Sequence, residues 1–245
     1  MGRLARQASS GRAMTAWHQR NWAACHRQVR SLQRRIVPAV QAGVWRQGKR
    51  LSDRWVHACA GRALAVTRVT EHTGKQTPGG DGDLWDTPAQ KAPAVARLGR
   101  WRGYRPAPLK RIDIPQNNGT PRPLSMPTLT DRARQAGYRH ARQPMAETTG
   151  DHHADGVRPT RRGADAIDQG LKVLRQSTAA TWIVEGDRPG LCDNMRLTWL
   201  AEHLPMHKHV FSRGLHRGFL DRGTRVPTTA GVPQGGISAL RSTQR

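Results

Sequence analysis

The segment WIVEGDRPGLCD (residues 182–193) runs a short apolar stretch, Trp182-Ile183-Val184, into two carboxylates, Glu185 and Asp187. A Gly/Pro turn and a third acid, Asp193, follow. A brief apolar run of this kind reads as a buried strand. An anionic side chain at the end of such a strand is costly unless it holds something charged, so Asp187 is the first candidate for chemistry. Two other constellations fail on spacing. Gly74 and Lys75 precede Thr77, but a phosphate-binding loop needs glycine five positions before the Gly-Lys pair, where this chain has Val69. The stretch HTGKQTPGGDGDLW (72–85) therefore reads as a turn-rich loop. His203 and His207 are four apart, but Pro205 breaks the helix that would align them as metal ligands. These histidines, with His152, His153 and His209, read as solvated groups near a phosphate surface.

Charge narrows the class of partner. Among 245 residues, 41 Lys and Arg outnumber 17 Asp and Glu, for a net charge of +24. Repulsion on that scale is relieved by a polyanion, and a phosphate backbone does so with release of condensed counterions. Nucleic acid is the first expectation, ahead of a merely solvated basic surface. Cys25, Cys59 and Cys192 are odd in number and far apart, which speaks against a disulfide framework or a zinc knuckle and for a reducing compartment. No apolar run approaches the roughly 18 residues of a membrane span. Residues 1–14 are basic and lack an apolar signal core, so they read as a disordered arm of a cytoplasmic protein.

The elements that position these residues follow from periodicity. Trp22, Cys25, Val29, Leu32 and Ile36 mark one face of a helix within 17–49, with Arg27, Arg30, Arg34 and Arg35 on the other faces. A second helical stretch runs through Trp55, Cys59, Leu64 and Val69. After an Ala/Pro-rich linker, strands around Lys110–Ile114 and Arg122–Met126 flank Asn117-Asn118-Gly119, a hairpin signal. The hairpin is expected to carry Lys110, Arg111 and Arg122 at a mobile tip. Helices are expected at 131–147, within 156–174 after an opening basic turn, with Ala164, Ile167, Leu171 and Leu174 on one face, and at about 194–203. The segment RVPTTAGVPQGGISAL (225–240) is glycine-rich around Gln234, as a backbone approaching a ligand would be. The fold class is α/β (α+β).

The blocks KRIDIP, NNG, PRPLSMPT and DRARQ, then GVRPTRRGADAI, then WIVEGD with DN, then TTAGVPQGGIS, stand in an order that resembles the reverse transcriptases encoded by group II introns. RSLQRRI, LAVTRVT and TGKQTPGGDG resemble that family's N-terminal extension. The resemblance implies a basic arm at 1–14, a helical, RNA-binding N-terminal region at 15–95, and the fingers and an incomplete palm of a right-hand polymerase at 96–245. It implies RNA-directed DNA synthesis, with intron RNA or an RNA template, a DNA primer and a deoxynucleoside triphosphate as partners. By resemblance, Asp187 binds catalytic Mg²⁺ together with the carbonyl of Arg188. Gln234 lies against the nascent base pair, and Arg111 and Arg122 face the triphosphate. Two-metal chemistry would explain an aspartate at the end of a strand.

Departures from that pattern bear on activity. The family takes two further carboxylates from a Tyr-Ala-Asp-Asp hairpin, and no two aspartates are adjacent in this chain. Cys192 stands where an aromatic residue is usual, and Gln116 where a lysine is. Only two phenylalanines occur, Phe211 and Phe219, so the core is expected to be short of large side chains. The strand at 182–187 is expected to have an unpaired edge. The expectation is a catalytically incomplete RNA-binding chain of the reverse transcriptase/maturase type. Its alternatives are a purely RNA-binding module or one half of a polymerase completed by a complementing chain.

Overall fold

Asn21 begins the first long helix: its side-chain oxygen accepts the backbone N–H of Ala24 at 2.8 Å, satisfying a donor that the first turn leaves open. The computed structural model describes residues 14–115, 119, 121–156, 158–179, 181–186, 194–203, 208–228 and 231. Helix α1 spans Trp22–Gln41 and buries Val29, Leu32, Ile36, Ala39 and Val40. The helix expected to run on towards Lys49 stops at Gly43, whose φ of +71° only glycine adopts without strain. Val44 N–H then bonds Ala39 C=O at 2.8 Å, closing the helix end. Helix α2 follows at Trp45–His57. A second break at Ala58 (ψ 142°) separates it from α3, Cys59–Thr70. Any side chain at Gly61 would stand 2.2 Å from the Trp55 carbonyl oxygen, so this corner tolerates only glycine.

The 72–85 loop is the turn it was expected to be, opening with a 3₁₀ turn at Thr73–Gln76. Arg132 ties it down: its guanidinium donates to the carbonyls of Pro127 (2.8 Å), Gly74 (3.3 Å) and Thr77. Helix α4 (Pro88–Leu98) starts in a capping box of Thr87 and Gln90. Helix α5, Leu129–Thr149, is the centre of the molecule. Its small residues Ala133, Ala136, Gly137 and Ala141 let neighbouring helices approach, and it contributes to two buried clusters. One cluster joins Val66, Val69, Trp85, Val95 and Leu98 to Leu129, and the other joins Ile36, Leu51 and Trp55 to Tyr138 and Met145. The volume that phenylalanine does not supply comes from tryptophan, since Trp17, Trp55 and Trp85 are all buried. Burying an aliphatic side chain such as Ile36 or Leu129 stabilises the fold by about 1.5–3 kcal/mol.

A small mixed sheet lies beside the helices in the order β2-β1-β3-β4. Strands β1 (Leu109–Ile114) and β2 (Arg122–Met126) pair antiparallel where the hairpin was expected. Two three-residue strands, β3 (Phe219–Asp221) and β4 (Thr224–Val226), were not anticipated. Positive φ at Arg222 (48°) and Gly223 (86°) makes the tight primed turn that joins such strands. β3 runs parallel to β1, with Leu109 opposite Phe219. Three further helices complete the described chain: α6 (Gly163–Leu174), α7 (Leu197–His203) and α8 (Lys208–Leu215). The fold is thus helical with a mixed four-stranded sheet, within the α/β (α+β) class expected.

The run Trp182-Ile183-Val184 departs from its expected state. It forms no strand pairing and is exposed, Trp182 by 86%, Ile183 by 73% and Val184 by 94%. The reading of a buried strand was wrong for a physical reason: a strand of three apolar residues needs a neighbour for its backbone groups, and no described strand lies beside this one.

Candidate nucleic-acid interface

Helix α1 commits one face to the core and leaves Arg27, Arg30, Arg34 and Arg35 exposed. The turn at Gly43 folds α2 back so that Arg46, Arg50 and Arg54, also exposed, come beside Arg35. These four arginines border a hollow of about 390 Å³, floored by Val44, Leu51 and the stem of Gln47. None of the seven guanidinium groups makes an ion pair among the described residues. Unpaired, forked and clustered, they suit the bidentate recognition of phosphate oxygens.

The hairpin presents its cations differently from the sequence expectation. Arg111 is in mid-strand, opposite Ser125, and not at a tip. Its Nε donates to Asp113 at 3.1 Å and its guanidinium lies 5.4 Å from the Phe219 ring centroid. Lys110 is exposed on the other face, beside Ile112 and Ile114. Arg122 pairs with Ile114, so the register places positions 111 and 122 on opposite faces of the hairpin. The sheet therefore does not bring these two candidates together.

Asp187, Arg188 and Gln234 lie outside the described residues, as do Cys192 and Asp193. Their flanks are placed: Glu185 is exposed, and the backbone N–H of Gly231 bonds the Met195 carbonyl at 3.0 Å. That bond ties the segment leading to Gln234 to the segment that follows Asp187. Among the described residues no three His, Cys, Asp or Glu side chains gather closely enough to hold a metal ion.

A buried polar network, which sequence reasoning missed, fixes the sheet against the helices. Asp131, in the first turn of α5, accepts the Tyr104 hydroxyl on one oxygen. Its other oxygen accepts the Ala107 backbone N–H at 3.2 Å and pairs with Arg217 at 3.5 Å. Both charged side chains are 3% exposed. Ala107 leads into β1 and Arg217 into β3, so one carboxylate fastens the entrances of both parallel strands. Burial pushes the Arg217 guanidinium below its ordinary value, against the opposing pull of Asp131. Burial, reinforced by the Asp131 carboxylate, pushes the Tyr104 hydroxyl up. Next to it, the Arg134 guanidinium is sandwiched 4.2 Å from the Trp101 ring and 4.0 Å from Tyr104. It donates to the carbonyls of Arg97, Leu98 and Arg100. The available signal was Thr128 three residues before Asp131, the spacing of a helix start.

Comparison with known proteins gives these surfaces a context. Residues 17–98 match the family described as the N-terminal domain of reverse transcriptase. Over 142 residues, 55% of this chain, the sequence is 32% identical to protein YkfC of Escherichia coli (strain K12), covering 37% of that protein. The same length is 30% identical to the group II intron-encoded protein LtrA of Lactococcus lactis subsp. cremoris, covering 23% of it. The matched part of the chain thus spans 37% and 23% of the length of these two relatives. No helix among the described residues is long and apolar enough to cross a membrane.

Proposed function

We propose that this chain binds RNA through the arginines of α1 and α2, a reading supported by the match of residues 17–98 to the N-terminal domain of reverse transcriptase and by the likeness to a group II intron-encoded protein. The observation that carries the reading is the cluster Arg35, Arg46, Arg50 and Arg54, exposed and without ion pairs among the described residues. The natural ligand in this reading is intron RNA, the partner of a reverse transcriptase that also acts as a maturase. The proposed division is a basic arm at 1–14, an RNA-binding region at 15–95, and polymerase fingers with part of a palm at 96–245.

The test is equilibrium binding of intron RNA and of a random RNA of equal length, each across a salt series. Affinity should fall steeply with salt, and replacing the four arginines with glutamine should flatten the slope by roughly 0.7–0.9 for each phosphate no longer neutralised. An unchanged slope would remove these arginines from the interface. A preference for intron RNA supports a maturase-like role; equal binding supports a sequence-blind one.

A second reading, RNA-directed DNA polymerisation, rests on Asp187 in its sequence setting, WIVEGD followed by Asp193-Asn194. In this reading Asp187 and the Arg188 carbonyl hold Mg²⁺, which would supply charge stabilisation to phosphoryl transfer. Arg111 or Arg122, which stand on opposite faces of the hairpin, would contact the triphosphate, one of them and not both. With no adjacent aspartates in these 245 residues, the further carboxylates on this reading would come from outside them, as a complementing chain could supply. Primer extension on an RNA template, with and without such a chain and with Asp187→Ala, decides it: synthesis that survives the substitution excludes the role given to Asp187.

A further inference from the structure

A second concavity lies away from the arginine hollow, on the side of α1 that faces α3 and α5. Its volume is about 580 Å³, within the range of clefts that hold small molecules. Aromatic rings form its walls. Trp17 and Trp22 meet edge to face with centroids 4.9 Å apart, and Trp55 stacks on His140 at 6.0 Å and 27°. Trp55 is 1% exposed, yet its indole N–H has no hydrogen-bond partner among the described residues. The Cε3 and Cζ3 edge of that ring packs against Gly61 and Gly137, which puts the N–H on the opposite edge. Arg30 and Arg68 line the cleft, are exposed and make no ion pair among the described residues. Glu71 is the only acid among the lining side chains.

An occupant of matching chemistry is planar enough to lie against indole and bears a phosphate for two arginines. We propose that this cleft takes one unstacked nucleotide of single-stranded RNA, its base against the tryptophans and its phosphate on Arg30 and Arg68. The assignment rests on the RNA-binding reading above and adds a second contact surface, with a preference for single strands. Duplex RNA keeps its bases stacked and cannot enter. Stacking of a base on an aromatic side chain is worth roughly 5- to 150-fold in affinity.

The experiment uses the full chain and a single-stranded 12-mer RNA carrying one 4-thiouridine, irradiated and mapped by mass spectrometry, with an RNA duplex of equal length as comparison. Adducts are expected on the peptides holding Trp17, Trp22 and His26. Thr67→Phe, which fills the cleft and leaves the arginines in place, should abolish those adducts and weaken single-strand binding at least fivefold, with duplex binding unchanged. If Thr67→Phe does not fold, Arg68→Gln, at an exposed position of α3 outside the arginines of α1 and α2, should give the same selective loss. RNA bound with adducts only elsewhere, or single-strand affinity unmoved by these variants, overturns the cleft while leaving the arginine hollow standing. An unmodified chain that binds no RNA at low salt overturns both.

Discussion

Asp131 is the residue whose loss should cost most. Replacing it with alanine leaves Arg217 charged, buried and unpaired and frees the Tyr104 hydroxyl, a change expected to destabilise by about 3–5 kcal/mol in urea unfolding. Replacing both partners with apolar residues, Asp131→Leu with Arg217→Met, removes both charges and should cost clearly less. The two tyrosines predict the alkaline limit. Burial pushes Tyr138 up to about 12, and Tyr104 is raised as well. An unfolded tyrosine loses its proton near pH 10, so above that pH the unfolded chain holds fewer protons than the folded one. Stability is then complete below about pH 10 and falls as pH rises towards 12. Absorbance at 295 nm should show phenolate appearing together with loss of helix; phenolate formation near pH 10 in a chain that stays helical would contradict the buried placement. None of this was legible beforehand. The sequence reading gave Asp131 no role, because the partners that give it weight lie 27 residues before it and 86 after it.

Among the elements, α6 and the run that follows stand apart. Ile167 and Leu171 repeat on one face as a core helix would have them, yet they are 66% and 63% exposed and α6 buries no residue. Leu171→Gln should therefore change the unfolding free energy by no more than about 0.5 kcal/mol. A destabilisation of about 2 kcal/mol or more would show that the face is covered in solution. Elements set by short-range rules were read well: the hairpin strands and α5 fall within two residues of expectation, and α6 follows the expected basic turn and ends at Leu174. Elements set by distant partners were not. Trp182-Ile183-Val184 has the composition of a strand without a neighbour to make it one. Phe219–Asp221 is a strand of three residues held between Leu109–Lys110 on one side and Thr224–Val226 on the other. The long first helix was over-extended because apolar spacing continues smoothly past Gly43, and only the left-handed turn there reveals the break. Site residues read from resemblance carried no register, so the opposite faces of positions 111 and 122 could not be seen until the strands were paired.

For the molecule as a whole, stability is unevenly shared. The two buried clusters are built from residues 17–145, whereas residues 162–169, 171–178 and 181–186 are exposed throughout. Brief trypsin treatment should cut first at Lys172 or Arg175, where little holds the backbone. The halves should still co-elute, because β1–β3 pairing and the Asp131–Arg217 ion pair cross the cut; separation of the fragments would place the sheet elsewhere. The position of α5 also bears on how the chain comes into being. On the ribosome, α1 to α4 are made first, but both clusters stay open until the helix ending at Thr149 is delivered. At roughly 5–20 residues per second, translation leaves the N-terminal helices waiting several seconds with apolar faces bare. Protection of those faces during synthesis, by a chaperone or by an RNA already seated on the arginines, would then govern how many chains reach the folded state.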